Sequence, residues 1–195
     1  MNKLPESCVV NQIISKDRFD KHKDEFRDKI ERIRYMYQID KNTTNYNQYD
    51  DNESIVVIQL TLKEDTDITK IVKTIDNAIP FNIVYEIQYD NQVKYGFYDQ
   101  QLFTTEYQSN ISLDLLSNDV NELYEKMKKQ ILGVTQTKLS SEGLVQINIE
   151  IKQLQVQLTR LEVERRKEKQ LNKRLEIKEK MKKLNKRLEE LYEVL

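Results

Sequence analysis

The chain has 195 residues, of which 33% are charged and 38% hydrophobic, with three Gly, two Pro, one His and one Cys. So little turn punctuation argues against an all-β sandwich, and one His with one Cys excludes a disulfide framework, a thiolate cluster and a zinc site built from those residues. No apolar run approaches the roughly 18 residues of a membrane span and no signal-peptide core is present, so a cytoplasmic protein that does not cross a membrane is expected.

Taken in order, Ser7 to Ile14 reads as an extended segment, either an edge strand or a strap over the core, and Pro5 bars an early helix. Lys16 to Ile39 reads as a helix, because Phe19, Phe26, Ile30, Ile33 and Tyr37 fall at steps of seven, four, three and four. His22 lies off that stripe among charges, as an exposed histidine. Asp40 to Glu53 is a polar run with the composition of a mobile loop. Its carboxylates Asp50, Asp51 and Glu53 lack the spacing and the glycine of a calcium loop.

Ser54 to Lys63 is the clearest strand, apolar on both faces through Ile55, Val56, Val57 and Ile58, and so central in a sheet. Asp65 or Asp67 then caps a helix carrying Ile68, Ile71, Val72, Ile75 and Ala78, which Pro80 ends. Phe81 to Tyr89 alternates as a strand, Asp90-Asn91 turns the chain, Val93 to Tyr98 returns, and a short strand follows at Phe103 to Tyr107. Ser112 to Leu132 reads as a helix with Leu113, Leu116, Val120, Leu123, Met127 and Ile131 on one face, stopped by Gly133. The fold class expected is α/β (α+β): a small mixed sheet flanked by helices in residues 1–137.

Residues 138–195 form a long helical arm. Ile147, Ile151, Leu154, Leu158 and Leu161 step by four and three, and so do Ile177, Met181, Leu184, Leu188, Leu191 and Leu195. The sixteen residues from Leu161 to Ile177 rotate a helix by roughly 160°, which would put the two stripes on opposite sides of one straight helix. Folding back pairs Leu161 with Ile177, Leu158 with Met181, Leu154 with Leu184 and Ile151 with Leu188. The expectation is an antiparallel hairpin turning near Lys169 to Asn172, with Asn172 as the second N-cap. The rival is one helix of about 75 Å that dimerises through two faces.

Charge divides the same way. Residues 139–195 hold 14 Lys and Arg against 10 Glu, net +4, which leaves net −5 for residues 1–138. Arg165 to Arg187 alone holds 12 basic and 3 acidic residues. This is either a solvated helix surface or a polyanion-binding tip, whose phosphate contacts would come from Arg165, Arg166, Lys167, Lys169, Lys173 and Arg174.

Catalytic signatures are sparse. Three glycines at 96, 133 and 143 make no phosphate-binding loop, and one His supports no nucleophile–base pair. No cofactor and no metal site is expected. The remaining enzyme reading is a metal-dependent nuclease on the sheet, using Glu86, Lys94 and Asp76. Tyr85, Tyr89, Tyr95, Phe97 and Tyr98 would make either a stacking platform for single strands or ordinary sheet packing.

Leu4-Pro5-Glu6-Ser7, Ile75-Asp76-Asn77-Ala78-Ile79-Pro80, Val93-Lys94-Tyr95 and Arg166 to Lys173 together resemble a bacterial and archaeal domain-of-unknown-function family. Its members are commonly encoded beside type III-like restriction helicases and DNA methyltransferases. The chain departs from it in having Leu171 where an aromatic is usual and in being shorter. The resemblance implies a role in restriction or phage defence and a helicase or methyltransferase subunit as partner. It supplies no catalytic residues. The combined expectation is a non-enzymatic accessory protein binding a partner protein, and DNA, through its basic coiled-coil arm. The alternatives are the nuclease and a purely structural coiled-coil oligomer, including a homodimer through the arm.

Overall fold

A computed structural model describes residues 4–19, 22–47, 53–108, 113–134 and 137–195. The chain divides into two compact units, Met1–Thr135 and Gln136–Leu195, and each is described by itself.

In the first unit six strands form one sheet in strictly sequential order: β1 (Val9–Ile13), β2 (Ile30–Ile39), β3 (Ile55–Leu62), β4 (Asn82–Tyr89), β5 (Gln92–Asp99) and β6 (Gln101–Thr104). All neighbours are antiparallel except β3 and β4. That parallel pair needs a crossover, and α2 (Thr69–Ala78) supplies it. The N-cap of α2 is Ile68 and not Asp65 or Asp67, though the Asp67 carboxylate just before it accepts from the backbone N–H and the hydroxyl of Thr69. Asp90 and Asn91 both lie at positive φ, 46° and 61°, as a two-residue hairpin turn between β4 and β5 demands. Gly96 allows β5 and β6 to meet, since a Cβ there would stand 2.7 Å from the Phe103 carbonyl oxygen.

The main core lies on one face of the sheet, and Ile55, Val57, Val84 and Phe97 are buried on the other. Val56, Ile58, Leu60 and Leu62 of β3 and Ile83, Tyr85 and Ile87 of β4 pack against Ile71, Val72 and Ile75 of α2 and against Phe26 of α1 (Lys23–Lys29). Phe19 stacks on Phe26 at 5.0 Å, and the Tyr85 hydroxyl donates to the Val72 carbonyl at 3.2 Å. Tyr85, Tyr95 and Phe97 are buried, so they pack the sheet and present no stacking platform.

The segment expected as one helix from Lys16 to Ile39 is instead a 3-10 turn at Lys16–Arg18, the short α1, and the ten-residue strand β2. The cause is two bulges. Pairing with β3 slips between Ile30 and Arg32 and again between Tyr35 and Tyr37. An extra residue per bulge brings Ile30 and Ile33, three apart, onto the same core face. That spacing imitates a helix, while the β-branched and aromatic residues of Ile30 to Ile39 suit a strand held on both sides, by β1 and by β3.

Two loops also differ from expectation. In the described part of the polar run, Asp40 is buried and accepts from the N–H groups of Asn42 and Thr43 at 2.8 and 2.9 Å and from the Gln38 amide at 2.7 Å, which makes a tied turn. Asp50 and Asp51 lie outside the described residues. The helix expected from Ser112 starts only at Val120, giving α3 (Val120–Ile131), and Ser112 itself is outside the described residues. Asp119 caps α3 by accepting from Asn121 and Glu122 N–H, and the chain before it is pinned by the Tyr46 hydroxyl donating to the Leu115 carbonyl at 2.6 Å. Leu116, placed on the apolar face by its spacing, is 79% exposed. Gly133 ends α3 at φ 73°, where a side chain would be strained.

The second unit is the antiparallel hairpin. α4 (Ser141–Lys167) is opened by Ser140, whose hydroxyl accepts from Gly143 N–H, and α5 (Leu171–Tyr192) returns along it. Ile151 and Leu154 pack on Leu188 and Leu191, flanked by Ile147, Leu158, Leu184 and Leu195. Glu150 takes two hydrogen bonds from Arg187 at 2.7 and 3.1 Å, and Gln155 donates to the Tyr192 hydroxyl. The turn occupies Glu168 to Gln170, closed by the Glu168 carboxylate accepting from Gln170 N–H at 2.8 Å. Asn172 therefore lies within the first turn of α5 and does not cap it.

Candidate nucleic-acid interface

The arm carries its positive charge on helices that straight-chain Lys, Arg, Leu and Glu favour. Six of those cations were expected at the site. Arg165 sits in the last turns of α4, half-buried against α5. Arg166 is bound to Glu162 one turn back at 2.7 Å, and Lys167 is the last residue of α4. Lys169 lies in the connection, and Lys173 and Arg174 in the first turn of α5. The hairpin does bring all six to one end of the arm. Lys173 and the backbone N–H of Gln170 and Lys169 also hold the Glu168 carboxyl below its ordinary range, the Gln170 N–H most of all.

Of the twelve cations from Arg165 to Arg187, Arg166 pairs with Glu162, and Arg187 pairs with Glu150 and Glu190. The other ten form no ion pair among the described residues. Part of that free charge lies beyond the expected site. Lys178, Lys182, Lys183 and Lys186 of α5, with Arg165 of α4, line a groove of about 910 Å³. The signal was legible in the spacing of Lys178, Lys182 and Lys186, each four residues apart and therefore on one helix face.

The sheet does not assemble the nuclease constellation. Glu86 faces the side opposite the main core. Its carboxylate accepts from Gln59 at 2.8 Å, Gln88 at 3.0 Å and the Tyr95 hydroxyl at 3.2 Å. Burial, and then the Glu86 charge, push the Tyr95 hydroxyl far up. Lys94 pairs in register with Ile87, so alternation sends it to the other face. There it covers the Tyr107 ring at 4.1 Å and lies 3.8 Å from Asp65. Asp76 is on α2, pushed up to about 6 by burial, with repulsion from Asp99 adding to it. Among the described residues no group of three or more His, Cys, Asp or Glu is placed to hold a metal ion.

The family model for a domain of unknown function, DUF4391, matches residues 3–188. The chain belongs to the DUF4391 family. The match runs through both units, so sheet and arm are parts of one DUF4391 pattern. No curated protein and no solved structure matches this DUF4391 chain. No described helix is long and apolar enough to cross a membrane.

Proposed function

We propose that this chain is a non-enzymatic accessory protein of a DNA restriction or phage-defence system. Its arm engages DNA and a partner protein, a helicase or methyltransferase subunit. The observation that carries this reading is the ten cations between Arg165 and Arg187 that form no ion pair among the described residues. Cations left unpaired by the fold are free to displace counterions from a polyanion. The supporting test is binding of the whole chain to duplex and single-stranded DNA at low and high salt, with and without Mg²⁺. Salt-sensitive binding, weakened when Arg165, Arg166, Lys167 and Lys169 are neutralised, is the expected result. No binding at low salt would remove the DNA part, and cleavage on adding Mg²⁺ would remove the non-enzymatic part.

A homodimer through the arm is the second reading. Val163, Leu171 and Leu175 favour it, since they stand 46%, 67% and 52% exposed beside the turn of the hairpin. Sedimentation of the whole chain against a Leu171→Ser, Leu175→Ser variant decides it, because a dimer held there would dissociate.

A further inference from the structure

We infer that the working surface of the arm is the groove along α5 rather than the turn, and that its ligand is the phosphodiester backbone of a nucleic acid strand lying along the helix. This rests on the nucleic-acid reading above and narrows it to one face. The groove wall holds Lys178, Lys182, Lys183 and Lys186, with Arg165 facing them from α4 and Met181 half-buried between. Against these five cations stand two acids, Glu179 and Glu189.

Charge and spacing fit this ligand. Lys178, Lys182 and Lys186 recur every four residues, which is about 6 Å along the helix axis. Phosphates of one duplex strand advance about 3.4 Å per nucleotide along the axis while winding round it, so neighbouring phosphates lie about 6 to 7 Å apart in space. The difference of at most about 1 Å per step lies within the swing of a four-carbon Lys stem. None of the five cations forms an ion pair among the described residues, so a phosphate displaces no existing bridge. At the turn, by contrast, Arg166 is held by Glu162, and Glu168 sits among the remaining cations. An apolar floor at Met181 suits the sugar edge of a backbone. An acidic protein helix would repeat at the same spacing of about 6 Å, so competition by polyglutamate is what separates it from a phosphodiester backbone.

Two charge-matched variants of the whole chain test this. The groove variant carries Lys178→Gln, Lys182→Gln, Lys183→Gln and Lys186→Gln. The turn variant carries Arg166→Gln, Lys167→Gln, Lys169→Gln and Lys173→Gln. Gln keeps helix propensity close to that of Lys, and circular dichroism checks that each variant retains its helices. Fluorescence anisotropy follows a labelled random-sequence duplex, and the matching single strand, between 50 and 200 mM salt. The groove variant should lower the slope of log K against log salt by about 3 to 4 on duplex and about 3 on single strand, as loss of four phosphate contacts requires. The turn variant should lower it by less than half as much. Equal losses in the two variants would overturn the groove and leave general nucleic-acid binding standing. Equal displacement of the probe by polyglutamate of matched charge would make the face a dock for acidic protein and overturn the ligand. Absence of binding by the unmodified chain would overturn this inference together with the reading beneath it.

Discussion

Asp76→Asn should stabilise the first unit at neutral pH. The Asp76 carboxyl moves from an ordinary value of 3.8 to about 6 because burial disfavours its charge, and Asp99 adds repulsion. In the folded protein the proton is held up to about pH 6, while the unfolded chain gives it up near pH 4. Between those values the folded state binds more protons, so stability falls as pH rises through the window and is level above it. The displacement corresponds to about 3 kcal/mol, and partial exposure of the side chain lowers the realistic cost to about 2. An uncharged Asn of the same shape is spared that penalty. Urea unfolding at pH 4, 5, 6 and 7.5, followed by tyrosine fluorescence of the first unit, measures it. The variant should be more stable by about 1 to 2 kcal/mol at pH 7.5 and indistinguishable from the parent at pH 4. Equal stability of the two proteins at every pH would refute the account of Asp76 as a carboxyl strained by burial. A loss of stability at pH 7.5 would show that its charge is used, and would return Asp76 to consideration as a functional group.

Leu188→Ala removes a buried contact with Ile151 and Leu154 and should cost the hairpin about 2 to 3 kcal/mol, at the low end for a core leucine because a two-helix arm collapses readily. Loss of helical signal at lower temperature would register it, and an unchanged melting curve would contradict the hairpin core. Gly96→Ala should force β6 away from β5, because the new methyl meets the Phe103 carbonyl. Hydrogen exchange at Phe103 and Thr104 should accelerate strongly, and unchanged protection there would show that the two strands do not approach so closely.

The central strands were legible because β3 is apolar on both faces and β4 alternates except at Val84, which is buried with its neighbours. The hairpin was legible from phase, since only a reversal brings Ile151 opposite Leu188. β2 was hidden by its bulges, which gave a strand the spacing of a helix. The start of α3 was hidden because Leu113 and Leu116 share helical spacing while one is buried and the other exposed. At the candidate site the run of cations was plain, but composition weighs every Lys equally. Only the helix faces separate Arg166, tied to Glu162, from Lys178 and Lys182, which line the groove.

The sheet's sequential order bears on how the chain reaches this structure. Every strand lies beside its predecessor, so no pairing waits for a distant segment. The two longest intervals are the connections from Ile13 to Ile30 and, through α2, from Leu62 to Asn82. Closing such loops costs entropy that grows only with the logarithm of their length, and short closures of this kind go with rapid folding. During synthesis the edge for each new strand already exists when that strand emerges. The six strands can be laid down one after another before the last residue of α5 has been made.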